Sequence, residues 1–134
     1  MTTDFEKDRC FPGRAQLDAY GNGGFRFADM SHRGSLLLMP SGIYAWAPES
    51  FDALSESDFV HVFAEASDIE FLLLGCGPNL QLPSDDLRAH FRKNGIGLEP
   101  MDTGAAARTY NVLLGEKRAV AAALIAVDEP VQTR

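Results

Sequence analysis

The sequence predicts an α/β fold, a single small layered domain in which a mixed β-sheet carries about three helices. Two short apolar runs, Ser35 to Met39 and Glu70 to Gly75, are too short for helices and read as fully buried strands. From Ser55 onward, segments with helical periodicity and N-cap residues alternate with such runs, an order that implies parallel strand pairs with covered faces. The length, 134 residues, fits one core, since a domain of about 150 residues buries roughly 70% of its unfolded surface.

Each element follows from local chemistry. Residues Met1 to Gly13 read as a loose lead-in, and the chain after Val127 as a frayed tail, leaving a core over about 15–127 with loose termini at 1–14 and 128–134. Gln16 to Tyr20 and Gly24 to Ala28 read as strands about a Gly21-Asn22-Gly23-Gly24 turn, with Phe25 and Phe27 alternating about Arg26. Pro40-Ser41-Gly42 turns the chain between SLLLM and a strand from Ile43 to Ala47, which makes a hairpin. A first helix starts near Ser55: Leu54 and Phe59 form a hydrophobic staple, Asp58 complements the helix dipole, and Phe59, Val62, Phe63 and Ala66 make its apolar stripe. Ser84 caps a second helix with Leu87 and Phe91 inward, ended by Asn94-Gly95, and Ile96 to Pro100 forms a short strand. Thr103 is expected to cap a third helix, with Ala106, Tyr110, Leu113 and Leu114 as its core stripe and Gly115 as its stop. Arg118 to Val127 is ambiguous. Its alanines favour helix, whereas Gly115, the short length and the β-branched residues favour the strand adopted here.

Composition excludes several functions. The formal net charge is -7, and no Lys/Arg cluster provides the basic footprint that nucleic acid or anionic lipid requires. No apolar run approaches the ~20 residues of a membrane helix, and the acidic start resembles neither a secretory signal nor a transit peptide. Cys10 and Cys76 suggest no disulfide framework or zinc site, which points to a reducing compartment, the bacterial cytoplasm. His32, His61 and His90 lack metal-ligand spacing. His61 and His90 read as helix-surface residues and His32 as a loop residue, so neither a metal nor a cofactor is expected. Tyr44 and Trp46 read as core residues.

Two stretches are candidate ligand-binding sites. Gly75-Cys76-Gly77 follows a buried strand, where ligands of open α/β sheets gather. The other reading of that loop is a tight turn, since the dinucleotide fingerprint does not continue. Cys76 has no His at a fixed spacing and reads as a small buried residue rather than a nucleophile. The start of the last helix offers free N–H groups to an anion, with Gly104 and Ala105 leaving that end open and Arg108 and Asn111 on one face beside Thr103 and Gly104. Equally, Thr103 could be an ordinary cap, Arg108 could pair with an acid such as Asp102, and Asn111 could bond a backbone carbonyl.

Three segments, GSLLLMPSGIYAW (Gly34 to Trp46), FLLLGCG (Phe71 to Gly77) and TGAAARTYNVLLGEKRAVAAALI (Thr103 to Ile125), resemble domain-of-unknown-function family 498. That family includes the mitochondrial complex I assembly factor and the adipogenesis-associated domain protein, and the resemblance spans roughly Leu17 to Val127. It implies a small layered α/β fold with a mixed sheet and no firmly attached enzyme activity. Relatives commonly carry Thr at the position of Cys76, which implies that the thiol is not an obligatory nucleophile. Two functional readings compete. One is an assembly-type binding protein with a polypeptide partner and no catalysis. The alternative is an anion-binding or enzyme-like site between Gly75–Gly77 and Thr103–Asn111. A third reading makes the shared segment a folding element alone.

Overall fold

The computed structural model describes residues 5–129 and the backbone of 132–133. Its strands are β1 (Arg9–Phe11), β2 (Leu17–Gly21), β3 (Gly24–Phe27), β4 (Met30–Arg33), β5 (Ser35–Met39), β6 (Gly42–Trp46), β7 (Phe71–Gly75), β8 (Gly97–Met101), β9 (Val120–Leu124) and β10 (Gln132–Thr133). Its α-helices are α1 (Val60–Ala64), α2 (Asp85–Lys93) and α3 (Thr103–Gly115). The strands form two sheets: a six-stranded one in the order β1-β6-β5-β9-β7-β8, and a four-stranded one in the order β10-β2-β3-β4.

The larger sheet is mixed, as expected. The β5–β6 hairpin is antiparallel and continues through β9, whereas β7 pairs in parallel with both β8 and β9. Apolar side chains leave it on both faces. Leu37, Met39, Leu72, Leu74, Ala121 and Ala123 join Phe59, Val62, Leu87 and Phe91 on the α1/α2 face. Leu36, Leu38, Leu73, Val120, Ala122 and Leu124 join Ala106, Tyr110, Phe25 and Phe27 on the face covered by α3 and the smaller sheet. A strand covered on both sides needs no polar alternation, which is why these runs are continuously hydrophobic. The step from β7 to β8 runs outward and the step from β8 to β9 runs back across β7, so connections of one hand place α2 and α3 on opposite faces.

The ambiguous segment after α3 is strand at Val120–Leu124. It lies between β5 and β7, and pairing on both edges outweighs the helix propensity of its alanines.

Several expectations are corrected. A second sheet forms in place of one. Its β2–β3 hairpin turns at Asn22 and Gly23, both with positive φ, the geometry that Asn-Gly favours. The next turn, from Phe27 to Met30, uses Ala28 (φ 50) and Asp29 (φ 62); Asp tolerates the left-handed region but Ala does not signal it, so β4 was not foreseen. Arg9–Phe11, expected in a loose lead-in, pairs antiparallel with β6, and Gln132–Thr133, expected in a frayed tail, pairs with β2. The first helix is mostly 3₁₀: Glu56–Phe59 precede α1 and Ala66–Asp68 follow it. The Asp58 carboxylate does accept the Ser55 N–H at 3.0 Å. α3 ends at Gly115 as expected, and the left-handed position that closes it falls two residues later, at Lys117 (φ 61), where the Arg118 N–H bonds Leu113 O.

Candidate functional site

The carboxyl ends of the three parallel strands converge on the start of α3. Asp102, not Thr103, is the N-cap: its Oδ1 accepts the Ala105 N–H at 2.8 Å. Thr103 is the first helical residue and is fully buried. Its Oγ1 donates to Ile125 O at 2.7 Å and accepts the Gly77 N–H at 3.0 Å, while its own N–H bonds Gly77 O at 2.8 Å. Cys76 N–H bonds Met101 O, and Ile125 N–H bonds Gly75 O. One threonine therefore laces the ends of β7 and β9 to α3.

This lacing changes the reading of the two candidate stretches. The two walls of the expected ligand site bond each other directly. Gly75 is required by close approach: a Cβ there would lie 2.9 Å from a Leu124 methyl and 3.0 Å from the Thr103 hydroxyl. The expectation that Gly104 leaves the helix start open is also corrected. A Cβ at Gly104 would lie within contact-breaking distance of the Tyr20 hydroxyl, because that phenol packs across the first turn. Cys76 is buried and donates weakly to Gln81 O at 3.4 Å and Leu74 O at 3.6 Å, and burial pushes its thiol pKa up.

The remaining two residues part company. Asn111 is buried, and its amide imitates a neighbouring strand: Oδ1 accepts the Leu17 N–H and Nδ2 donates to Leu17 O, both at 2.8 Å. It holds β2 against α3. Arg108 is exposed and forms no ion pair with Asp102 or any other acid among the described residues. Its Nη1 donates to the Tyr20 hydroxyl at 3.1 Å. Beside it lies a groove of about 440 Å³ lined by Gln16, Arg108, Asn111, Val112 and Gly115, with Val112 60% exposed.

Sequence reasoning misplaced two histidines. His61, expected on a helix surface, is buried: Nε2 lies 2.8 Å from Glu65 Oε2, and the ring stacks on Phe5 at 3.8 Å and meets Tyr44 edge-on. Glu65 also accepts the Ser41 hydroxyl at 2.6 Å, which in turn meets Tyr44 Oη at 2.6 Å. Burial holds His61 below the ordinary imidazole range, opposed by the Glu65 hydrogen bond and the charges of Glu65 and Asp8. The i,i+4 spacing of His61 and Glu65 was the available signal. His32, expected in a loop, lies in β4. Spacing also hid a trio on separate elements: Glu56, Asp86 and His90 bring possible ligand atoms within 4.8 Å of one another, with Glu56 and Asp86 exposed.

Fold and site together define a small three-layer α/β domain whose last helix start is closed by the Thr103 hydroxyl and the Tyr20 phenol and which presents Arg108 outward beside a groove. The chain belongs to the family described as "Protein of unknown function (DUF498/DUF598)", whose model matches residues 17–125. It is 37% identical over 92% of its length to an uncharacterized protein of Rhodobacter capsulatus, covering 94% of that protein. It is 29% identical over 86% of its length to the NADH dehydrogenase [ubiquinone] 1 alpha subcomplex assembly factor 3 of Mus musculus, and spans only 62% of that protein's length. Its fold matches a crystal structure described as an outer membrane protein from Bartonella henselae, with TM-score 0.84, 52% identity and coverage of 87% of this chain and 98% of that one. Among the described residues, no helix is long and apolar enough to cross a membrane.

Proposed function

We propose that this protein is a bacterial binding factor for the assembly of a multi-subunit respiratory complex, and that the outer face of α3 around Arg108 receives the partner. The observation that carries this reading is the 29% identity, over 86% of the chain, to a protein named as a complex I assembly factor. The geometry supports it. The chain has 19 acids against 12 bases, yet Arg108 meets no carboxylate among the described residues. A guanidinium positioned by a tyrosine hydroxyl and flanked by an exposed valine suits an acidic polypeptide segment with an apolar neighbour. Cytoplasmic location fits the two free cysteines.

The test is native capture with tagged protein from its own cells, followed by native electrophoresis of the respiratory complexes in a deletion strain. NADH dehydrogenase subunits should co-purify, and Arg108→Glu should abolish their recovery while the variant stays folded. If the protein runs alone and the deletion leaves those complexes unaltered, the reading fails. Fractionation of the same cells tests location: recovery in the outer membrane overturns the cytoplasmic assignment.

A further inference from the structure

Cys10 and His32 come from separate sheets and meet between them. Cys10 sits in β1 at the edge of the larger sheet, and His32 in β4 at the edge of the smaller one. Cys10 Sγ lies 3.7 Å from His32 Nδ1, and both residues are partly accessible. The other ring nitrogen, Nε2, lies 3.2 Å from Ser35 O. A carbonyl can only accept, so in the neutral ring Nε2 carries the hydrogen and Nδ1 turns its lone pair toward the thiol. The arrangement therefore contains a nucleophile, a base in reach of its proton, and a third group that fixes the tautomer of the base.

We propose that Cys10 and His32 form a thiol–imidazole pair that makes Cys10 a site of covalent modification by small electrophiles, with hydrogen peroxide as the cellular reagent class. The proton of Sγ passes to His32 Nδ1, and the sulfur attacks one peroxide oxygen. The S–O bond forms as the O–O bond breaks, and the departing hydroxide takes the proton from the imidazolium. Cysteine is oxidised to the sulfenic acid, and peroxide is reduced to water. The groups that act on the thiol are Asp8, whose carbonyl lies 3.7 Å away and whose charge opposes ionisation, and the Ala45 backbone, which favours it. Burial is the largest influence and pushes the Cys10 thiol up, so the pair rests on the 3.7 Å contact with Nδ1 and on proton transfer during the reaction.

Cys76 is an internal control, because it is 2% exposed and its sulfur faces only carbonyls. The experiment is alkylation of the native protein by iodoacetamide across pH 6 to 9, with each cysteine followed by mass spectrometry, alongside dimedone trapping after hydrogen peroxide. The Cys10 rate should stay nearly level from about pH 7 to 8.5, because the imidazole takes the proton as the new bond to sulfur forms. His32→Gln should slow Cys10 at pH 7 by roughly tenfold or more, a modest part of the 10²–10⁴ typical of general base assistance. Dimedone should label Cys10 and spare Cys76. A wild-type rate that falls about tenfold per pH unit below the ordinary thiol range overturns the pair without recourse to any variant. So does a His32→Gln protein whose Cys10 reacts as fast as wild type.

Discussion

Along α3, the inward side and the outward side treat polar residues in opposite ways. Inward, Thr103 and Asn111 are buried, and their side-chain polar groups are spent on backbone: Ile125 O and Gly77 N–H for the one, Leu17 N–H and O for the other. Outward, Arg108 keeps its charge in solvent with a single neutral hydroxyl for company. The difference shows that within nine residues the fold consumes the polar groups of Thr103 and Asn111 and leaves the Arg108 charge over. An inward substitution should therefore cost stability, and an outward one should cost binding.

Experiments can break that comparison, beginning with the largest expected effect. Asn111→Leu removes both partners of a buried strand backbone. Each orphaned group costs about 1–3 kcal/mol, so roughly 3 kcal/mol should be lost in urea unfolding; a change below about 0.5 kcal/mol would show that β2 does not depend on this clamp. Arg108→Ala should weaken capture of the partner by about 2 kcal/mol, or roughly 30-fold, as expected of an interface arginine. Thr103→Val keeps the shape but orphans Gly77 N–H and Ile125 O, for a loss of about 2 kcal/mol and a melting point lower by several degrees. The smallest effect on stability belongs to Arg108→Ala itself, which should remain within about 0.5 kcal/mol of wild type. A large loss there would return Arg108 to the folding side of the comparison.

A pH measurement sharpens the same contrast on the opposite face of the sheet. His61 is a buried base whose folded pKa lies below its ordinary value, so the unfolded chain takes the proton first. Its contribution is present in full above the unfolded pKa of about 6.5 and is lost as pH falls through that value. The wild-type melting temperature should therefore drop between pH 7.5 and 5.5 by more than that of His61→Gln. Parallel profiles would assign the acid sensitivity elsewhere.

Much of the fold was legible from residues taken one segment at a time. SLLLM and FLLLG read as strands because a short run of consecutive apolar residues, Leu36 to Met39 in the one and Phe71 to Gly75 in the other, fits a two-sided environment and little else. Ser84 and the Asn94-Gly95 pair marked α2 because capping is local chemistry, seen in the Ser84 Oγ that accepts the Leu87 N–H at 3.1 Å. Elements that depend on distant partners were less visible. β1 is three residues paired to the edge of β6, and β4 follows a turn that begins on Ala28, a residue with little turn signal. His61 looked like a surface residue because its cover, Phe5, comes from 56 positions earlier in the chain.

The sequence by itself determined the α/β class, the buried strands and the caps of α2, because these rest on periodicity and on hydrogen bonds between near neighbours. Tertiary structure alone decided that Thr103 laces strand ends rather than capping, that Tyr20 closes the helix start over Gly104, that Asn111 belongs to β2, and that Arg108 is left facing out. Those assignments depend on which backbone groups arrive from 22 to 94 residues away, and no local pattern encodes that meeting.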